Sequence, residues 1–274
     1  MRDMLPALIP EPPIRDLTFG PLTLHMYGLI IGIGIIAGLR LMERVLGKLD
    51  VDRTHFLGVM VPGIIGGFVG ARLYHVLSEP VRYAHHPGDI IAVWNGGLGI
   101  YGAIIAGTAV VYLRVRRIGG NFAQWADAAA VGLPLSQAIG RWGNYVNQEL
   151  FGRPTDLPWG VQIDAFHRPT GFSGTCCFHP TFLYESLGCL ALCIVLYVAA
   201  TRWPSRPTGV IFPLYLIGYS VLRMGMELLR IDDAHTFLGM RQNFWVAAAT
   251  AVFATGVVTW QLRSRRAATH PDRP

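Results

Sequence analysis

Across 274 residues, 52% are hydrophobic and only 15% charged, a balance that does not suit a water-soluble surface of that size and points to a membrane. The formal net charge of +6 comes almost entirely from scattered arginines, with no long basic run, so nucleic acid is excluded as a partner, and the apolar content excludes disorder and a coiled coil. Glycine, at 32 residues, fits closely packed membrane helices, whose backbones approach where side chains are missing. Of the four cysteines, Cys176 and Cys177 are adjacent and Cys189 and Cys193 lie one turn apart in an apolar run, so neither a disulfide framework nor a CxxC metal pattern is expected.

The first 20 residues, with Pro6, Pro10, Pro12 and Pro13, lack the basic start and small-residue cleavage site of a signal peptide, so the first span is expected to be retained. A spanning helix needs roughly 20 apolar residues. Seven stretches qualify: Leu22 to Met42, His55 to Leu77, Gly97 to Leu113, Phe122 to Gly140, Thr181 to Ala200, Val210 to Leu228 and Phe244 to Leu262. The expected fold is therefore an all-α membrane protein, a polytopic bundle of about seven transmembrane helices forming one integral membrane domain over residues 1–274. The longest loop, Arg141 to Pro180, is rich in Gly and Pro and is expected to form a small extracytoplasmic cap.

Alternate loops sort the charges, and cytoplasmic loops collect Lys and Arg. One set holds Arg40, Arg44, Lys48, Arg53, Arg114, Arg116, Arg117, Arg202, Arg206, Arg263, Arg265, Arg266 and Arg273 against Glu43, Asp50, Asp52 and Asp272, about +9. The other set, with Arg2, Arg15, Arg82, Arg141, Arg153, Arg168, Arg230 and Arg241 against ten acids, carries about −2. The N-terminus is expected outside and the C-terminus in the cytoplasm.

A charge at the centre of a lone membrane helix costs on the order of 3 kcal/mol, so such residues face a bundle interior or a wet cavity. Followed from the outer surface inward, Tyr27, Arg72, Tyr101, Arg141, Asn144, His179, Glu185, Arg223, Glu227 and Gln242 fall at one expected depth. Tyr27 and Tyr101 also suit interfacial anchors, and Arg223 and Glu227, four residues apart, also suit a structural ion pair. Asp127, near a cytoplasmic end, reads as a helix-start charge or a solvated residue. The run Gly140-Arg141-Trp142-Gly143-Asn144-Tyr145-Val146-Asn147-Gln148-Glu149 suits a tight turn that presents a guanidinium and amides to an anionic lipid headgroup, since arginine matches phosphate oxygens bidentately.

This run resembles the signature of the prolipoprotein diacylglyceryl transferase family. The resemblance extends in order through His25-Met26-Tyr27-Gly28, Gly70-Ala71-Arg72, Trp94-Asn95-Gly96-Gly97, His179-Pro180-Thr181, Leu183-Tyr184-Glu185, Gly218-Tyr219, Arg223, Glu227, Arg230 and Arg241-Gln242. It implies a bacterial inner-membrane enzyme that moves the diacylglyceryl group of phosphatidylglycerol onto the cysteine thiol of a preprolipoprotein signal peptide, leaving a thioether and releasing glycerol phosphate. It also implies action on the outer side of the membrane, among membrane lipids, with no metal or organic cofactor. Carried over by position, Arg141, Arg223, Glu227 and Tyr27 are the expected catalytic residues. Asn144, Asn147, Glu149, Gly152, Arg72, Tyr101, His179, Glu185, Arg230 and Gln242 join Arg141 in binding substrate.

The chain departs from the family where many members have His-Gly-Gly and this one reads Tyr101-Gly102-Ala103. A tyrosine titrating near 10 is a poor base at neutral pH, although a fair hydrogen-bond donor. A histidine base is not needed on chemical grounds, because a thiol with pKa near 8.5 is already a few per cent thiolate at pH 7 and a guanidinium lowers that pKa further. Among other functions, a transporter fits poorly because the polar residues gather on one side and seven spans do not make an inverted repeat. A hydrolase lacks Gly-x-Ser-x-Gly and HExxH, and a CDP-alcohol phosphotransferase would need more aspartates than Asp232-Asp233.

Overall fold

A computed structural model describes residues 9–20, 22–92 and 96–269. Arg2, Pro6, Trp94, Asn95, Asp272 and Arg273, used in reading the sequence, lie outside the described residues. Each of the seven apolar stretches holds one long helix: α1 (Met26–Lys48), α2 (Phe56–Ser78), α4 (Ile100–Arg117), α5 (Phe122–Asn147), α6 (Thr181–Arg202), α7 (Ile211–Glu227) and α8 (Gln242–Thr269). A short helix, α3 (Pro80–His85), follows α2. Among the described residues, three helices are long and apolar enough to cross a membrane, Phe56–Ser78, Thr181–Arg202 and the Gln242–Arg265 part of α8. Elsewhere α4 closes on three arginines, α5 carries Asp127, and α7 has 17 residues.

Among the described residues there are also three two-stranded antiparallel pairs: β1 (Asp16–Phe19) with β2 (Leu22–His25), β3 (Val161–Gln162) with β4 (Cys177–Phe178), and β5 (Thr236–Phe237) with β6 (Met240–Arg241). Leu22, expected to begin a helix, instead belongs to β2, because residues 16–19 and 22–25 pair their backbones as antiparallel strands and the helix starts only at Met26.

Contacts divide the chain into two units, residues 1–49 with 126–274 and residues 50–125. In the second, α2 and α4 meet along small residues: a Cβ on Gly70 would lie 2.5 Å from the Gly102 carbonyl oxygen, and one on Gly102 would lie 2.1 Å from that of Gly70. In the first, Leu222 of α7 packs on Gly188 of α6 while Leu192 of α6 packs on Gly218 of α7. Polar ties join α5 to its neighbours: Ser186 Oγ donates to the Ala138 carbonyl at 2.8 Å, and Gln137 Nε2 to the Tyr215 hydroxyl at 2.9 Å.

Asp127 departs from expectation. It is fully buried, and its carboxylate accepts from the backbone N–H groups of Gly209 (2.8 Å), Ile211 (2.9 Å) and Phe212 (3.2 Å), with Arg206 at 3.5 Å. It therefore caps the N-terminus of α7, where free N–H groups favour a negative charge. Cys176 and Cys177 are joined to each other as a disulfide between neighbours, which ties no separate segments together, while Cys189 and Cys193 are free and buried.

The loop expected to form a cap from Arg141 is non-helical only from Gln148, because α5 continues to Asn147. Its core packs Phe151, Val161, Ile163, Phe178 and Phe182 together, with Ile9 alongside in a parallel bridge to Val161. Arg15 pairs with Asp164, tying the β1–β2 segment to the cap, and His167 Nδ1 lies 2.7 Å from the same carboxylate. These hydrogen bonds from His167 and Arg15 outweigh desolvation and hold Asp164 well below the usual carboxylate range. The tie is therefore complete at neutral pH and is lost only as pH falls through that depressed value.

Candidate active site

The run expected as a tight turn is helical. Helix α5 continues to Asn147, so Arg141 and Asn144 are i,i+3 neighbours on one face of its last turns, with the Arg141 guanidinium donating to Asn144 Oδ1 at 3.2 Å. The chain turns only afterwards. Gln148 N–H donates to the Tyr145 carbonyl and Glu149 N–H to that of Asn144, both at 3.0 Å, with Gln148 at φ 51°, which is a Schellman closure on a residue other than glycine. The left-handed Gln148 is anchored because its buried side chain accepts from the Asp164 backbone N–H at 2.7 Å. Gly143, read as a turn former, instead makes room for Tyr27: a Cβ there would lie 2.7 Å from the tyrosine ring.

Glu185 of α6, 3% exposed, is where helices α5, α6 and α7 converge chemically. Its Oε1 lies 2.6 Å from an Arg141 Nη and 3.7 Å from an Arg223 Nη. Arg141 also donates to the Tyr219 hydroxyl at 3.3 Å. Asn144 in turn donates to Glu149 Oε1 at 2.7 Å, which fixes its amide.

A second carboxylate extends the network. Glu227 takes Arg223 at 2.5 Å, one helical turn away on α7, as expected from the spacing. It also takes Arg241 at 2.5 Å and has Arg230 at 3.6 Å. Arg230 grips Asp232 with two parallel bonds of 2.7 Å, and Arg241 adds a third at 2.8 Å. Burial raises the Asp232 pKa, but the two arginines outweigh it and hold the carboxyl below its ordinary range, so this clamp is ionised at neutral pH and releases only in acid. Gly152 positions it: paired antiparallel with Arg230, it passes so close to His179 that a Cβ would lie 2.8 Å from the histidine Cβ.

The remaining expected site residues are placed less centrally. His179 Nδ1 lies 3.2 Å from the Tyr184 hydroxyl, which Trp159 also reaches at 2.9 Å. Burial and then Arg153 push the His179 pKa down, leaving it neutral at pH 7. Asn147 and Gln242 are exposed, and their side chains have no hydrogen bond among the described residues. Arg72 lies in the other unit, buried, with its guanidinium donating to the carbonyls of Asp89, Ile90 (2.9 Å), Ala92 (3.3 Å), Gly96 (2.6 Å) and Gly97 (2.8 Å). Those five acceptors tie residues 89–92 and 96–97 to α2 and leave little of the fork for a ligand. Tyr101, in the same unit, is 49% exposed and lies with its ring centroid 5.9 Å from that of Tyr74 at a tilt of 54°, with no hydrogen bond to its hydroxyl among the described residues.

Tyr219, Asp232 and Arg241 belong to the network although the sequence reading gave them no part in it. Arg241 and Tyr219 stood within recognised motifs without a role, and Asp232 was considered only as a metal ligand.

A family model described as prolipoprotein diacylglyceryl transferase matches residues 16–260. The chain is 43% identical over 244 residues to phosphatidylglycerol–prolipoprotein diacylglyceryl transferase 2 of Streptomyces coelicolor, covering 88% of this chain and 77% of that protein. It is 41% identical over 268 residues to the phosphatidylglycerol–prolipoprotein diacylglyceryl transferase of Cutibacterium acnes, covering 94% and 87%. To the protein of that name in Paenarthrobacter aurescens it is 39% identical over 269 residues, covering 94% and 84%.

Proposed function

The chain belongs to the prolipoprotein diacylglyceryl transferase family, and we propose that it transfers the diacylglyceryl group of phosphatidylglycerol to the lipobox cysteine of a preprolipoprotein. One observation carries the assignment of the site: two guanidiniums, Arg141 from α5 and Arg223 from α7, meet at a single buried carboxylate oxygen of Glu185. Fixed in this way, they form a cationic pair that a lipid phosphate can enter without prior reorganisation.

The thiolate sulfur attacks the glyceryl carbon that bears the phosphate. The C–O bond breaks, a C–S bond forms, and glycerol phosphate leaves with the bonding electrons. Negative charge on the departing phosphate oxygen grows towards the transition state, so preset arginines stabilise that state more than the bound lipid. Arg141 and Asn144 hold the headgroup, Arg223 meets the reacting phosphate, and Tyr27, seated on Gly143, forms a wall of the site. Glu149 orients Asn144, while Glu227, Arg230, Arg241 and Asp232 fix Arg223.

The reading places all seven long helices across the bacterial inner membrane, with the N-terminus and the cap outside and the C-terminus in the cytoplasm. The asymmetry of loop charge supports it. A membrane-impermeant thiol reagent applied from outside is then expected to label a cysteine introduced near Asp164 and not one near Arg265; the reverse pattern overturns the orientation.

Tyr101→Phe is expected to lower transfer only moderately, because the hydroxyl has no hydrogen-bond partner among the described residues and is a poor base. Complete loss with fold and lipid binding intact would give that hydroxyl a chemical role. The test of the activity itself is acyl-labelled phosphatidylglycerol incubated with the purified protein and a lipobox peptide. Label is expected on the cysteine peptide and absent from its serine counterpart, and equal label on both, or on neither, contradicts the proposal.

A further inference from the structure

Residues 50–125 hold a second basic cluster that the transfer chemistry does not use. Where α2 begins and α4 ends there is a cavity of about 140 Å³ lined by His55, Gly58, Val59, Arg114, Arg117 and Ile118. Its chemistry starts from a proline. Pro62 inside α2 has no N–H, so the Gly58 carbonyl has no helical donor, and Arg114 Nε supplies one from α4 at 3.0 Å. That bond fixes the arginine stem and leaves its two terminal nitrogens with no hydrogen bond or ion pair among the described residues. The Arg117 guanidinium and the His55 ring are likewise without one.

Among the described residues neither arginine has an acidic partner, and Asp52, whose carboxylate interacts with the His55 charge, lies outside the cavity lining. No lining residue is acidic, Asp52 is taken by the Thr54 N–H (2.8 Å) and hydroxyl (2.6 Å), and Arg116 turns to the Tyr112 hydroxyl at 2.9 Å. Val59, 1% exposed, and Ile118 give the cavity an apolar side. Two forked donors beside an apolar wall suit an anion with an alkyl continuation, and guanidinium recognises phosphate oxygens bidentately. The volume lies well below the roughly 300 Å³ at which pockets begin to enclose whole small molecules, so it suits a headgroup and not a nucleotide.

We propose that this cavity binds the phosphate of an anionic phospholipid at the membrane face where α2 begins and α4 ends. The proposal rests on the membrane-spanning reading above but not on the transfer reaction. A soluble phosphate ester carries the same chemistry, and the test separates the two sources.

The protein is placed in phosphatidylcholine nanodiscs with a minor fraction of phosphatidic acid, and phosphatidic acid retained per protein is counted by native mass spectrometry. Arg117→Gln and His55→Gln are compared with the parent, and Arg114 is kept because it supports α2. Removing one charge-assisted contact is expected to weaken phosphatidic acid retention about tenfold in Arg117→Gln, with a smaller loss in His55→Gln. Retention equal in all three proteins overturns the site. Glycerol phosphate added to discs of phosphatidylcholine alone is expected to leave thermal stability unchanged; stabilisation of the parent but not of Arg117→Gln assigns the cavity to a soluble ester and overturns the lipid source. Transfer from phosphatidylglycerol is expected to be the same in all three proteins. If transfer is absent even in the parent while retention still depends on Arg117, the transferase reading fails and this site stands.

Discussion

Arg141→Lys is expected to lower transfer by about 100-fold or more while the protein folds normally. The charge is kept, so a site that needs only positive potential at the interface would tolerate the change. The geometry requires more. From one planar fork Arg141 reaches Asn144 Oδ1, the Tyr219 hydroxyl and Glu185 Oε1, contacts that set its plane. A lysine ammonium is a single point on a flexible stem and cannot reproduce the fork or present two parallel donors to a phosphate. Transfer rates measured beside thermal unfolding check this, and full activity in the lysine variant would reduce Arg141 to a point charge.

The second large effect separates Arg223 from its partner. A simple i,i+4 ion pair predicts that Arg223→Leu and Glu227→Leu destabilise equally and that the double change restores the fold. The structure replaces that symmetry, because Glu227 also holds Arg241 at 2.5 Å and has Arg230 at 3.6 Å, so losing Arg223 leaves the buried carboxylate compensated. Arg223→Leu is therefore expected to destabilise the protein less than Glu227→Leu yet remove nearly all transfer. Glu227→Leu, which leaves several guanidiniums short of an anion, is expected to cost about 3–5 kcal/mol. Thermal unfolding and transfer assays of both variants check this. Equal destabilisation, or transfer surviving in Arg223→Leu, removes Arg223 from the mechanism and leaves Arg141 as the main phosphate contact.

The helices were legible because each falls within an apolar run, three of them long and apolar enough to cross a membrane, and such runs survive in sequence whatever the partner. Their ends were not, since backbone hydrogen bonding decides them. Leu22 pairs in β2, and α5 runs on to Asn147 because Gly143 serves packing and not a turn. The Arg223–Glu227 pair could be read from its helical spacing. Arg241, arriving across the β5–β6 hairpin, and Asp127, capping a helix more than 80 residues away, could not, because no local spacing encodes those contacts. Arg72 shows a different limit of sequence. A buried arginine within an apolar helix read as a ligand contact, whereas its acceptors are backbone carbonyls, which carry no sequence signature.

The central claim is that the arginine pair stabilises a departing glycerol phosphate while the diacylglyceryl carbon passes to sulfur. Phosphatidylglycerol labelled with one isotope in the diacylglyceryl group and another in the phosphate tests it in a single reaction with the lipobox peptide. The account predicts diacylglyceryl label on the cysteine peptide and phosphate label in soluble glycerol phosphate, in one-to-one amounts. Phosphate label on the peptide, or diacylglycerol released while the peptide stays unmodified, would contradict it.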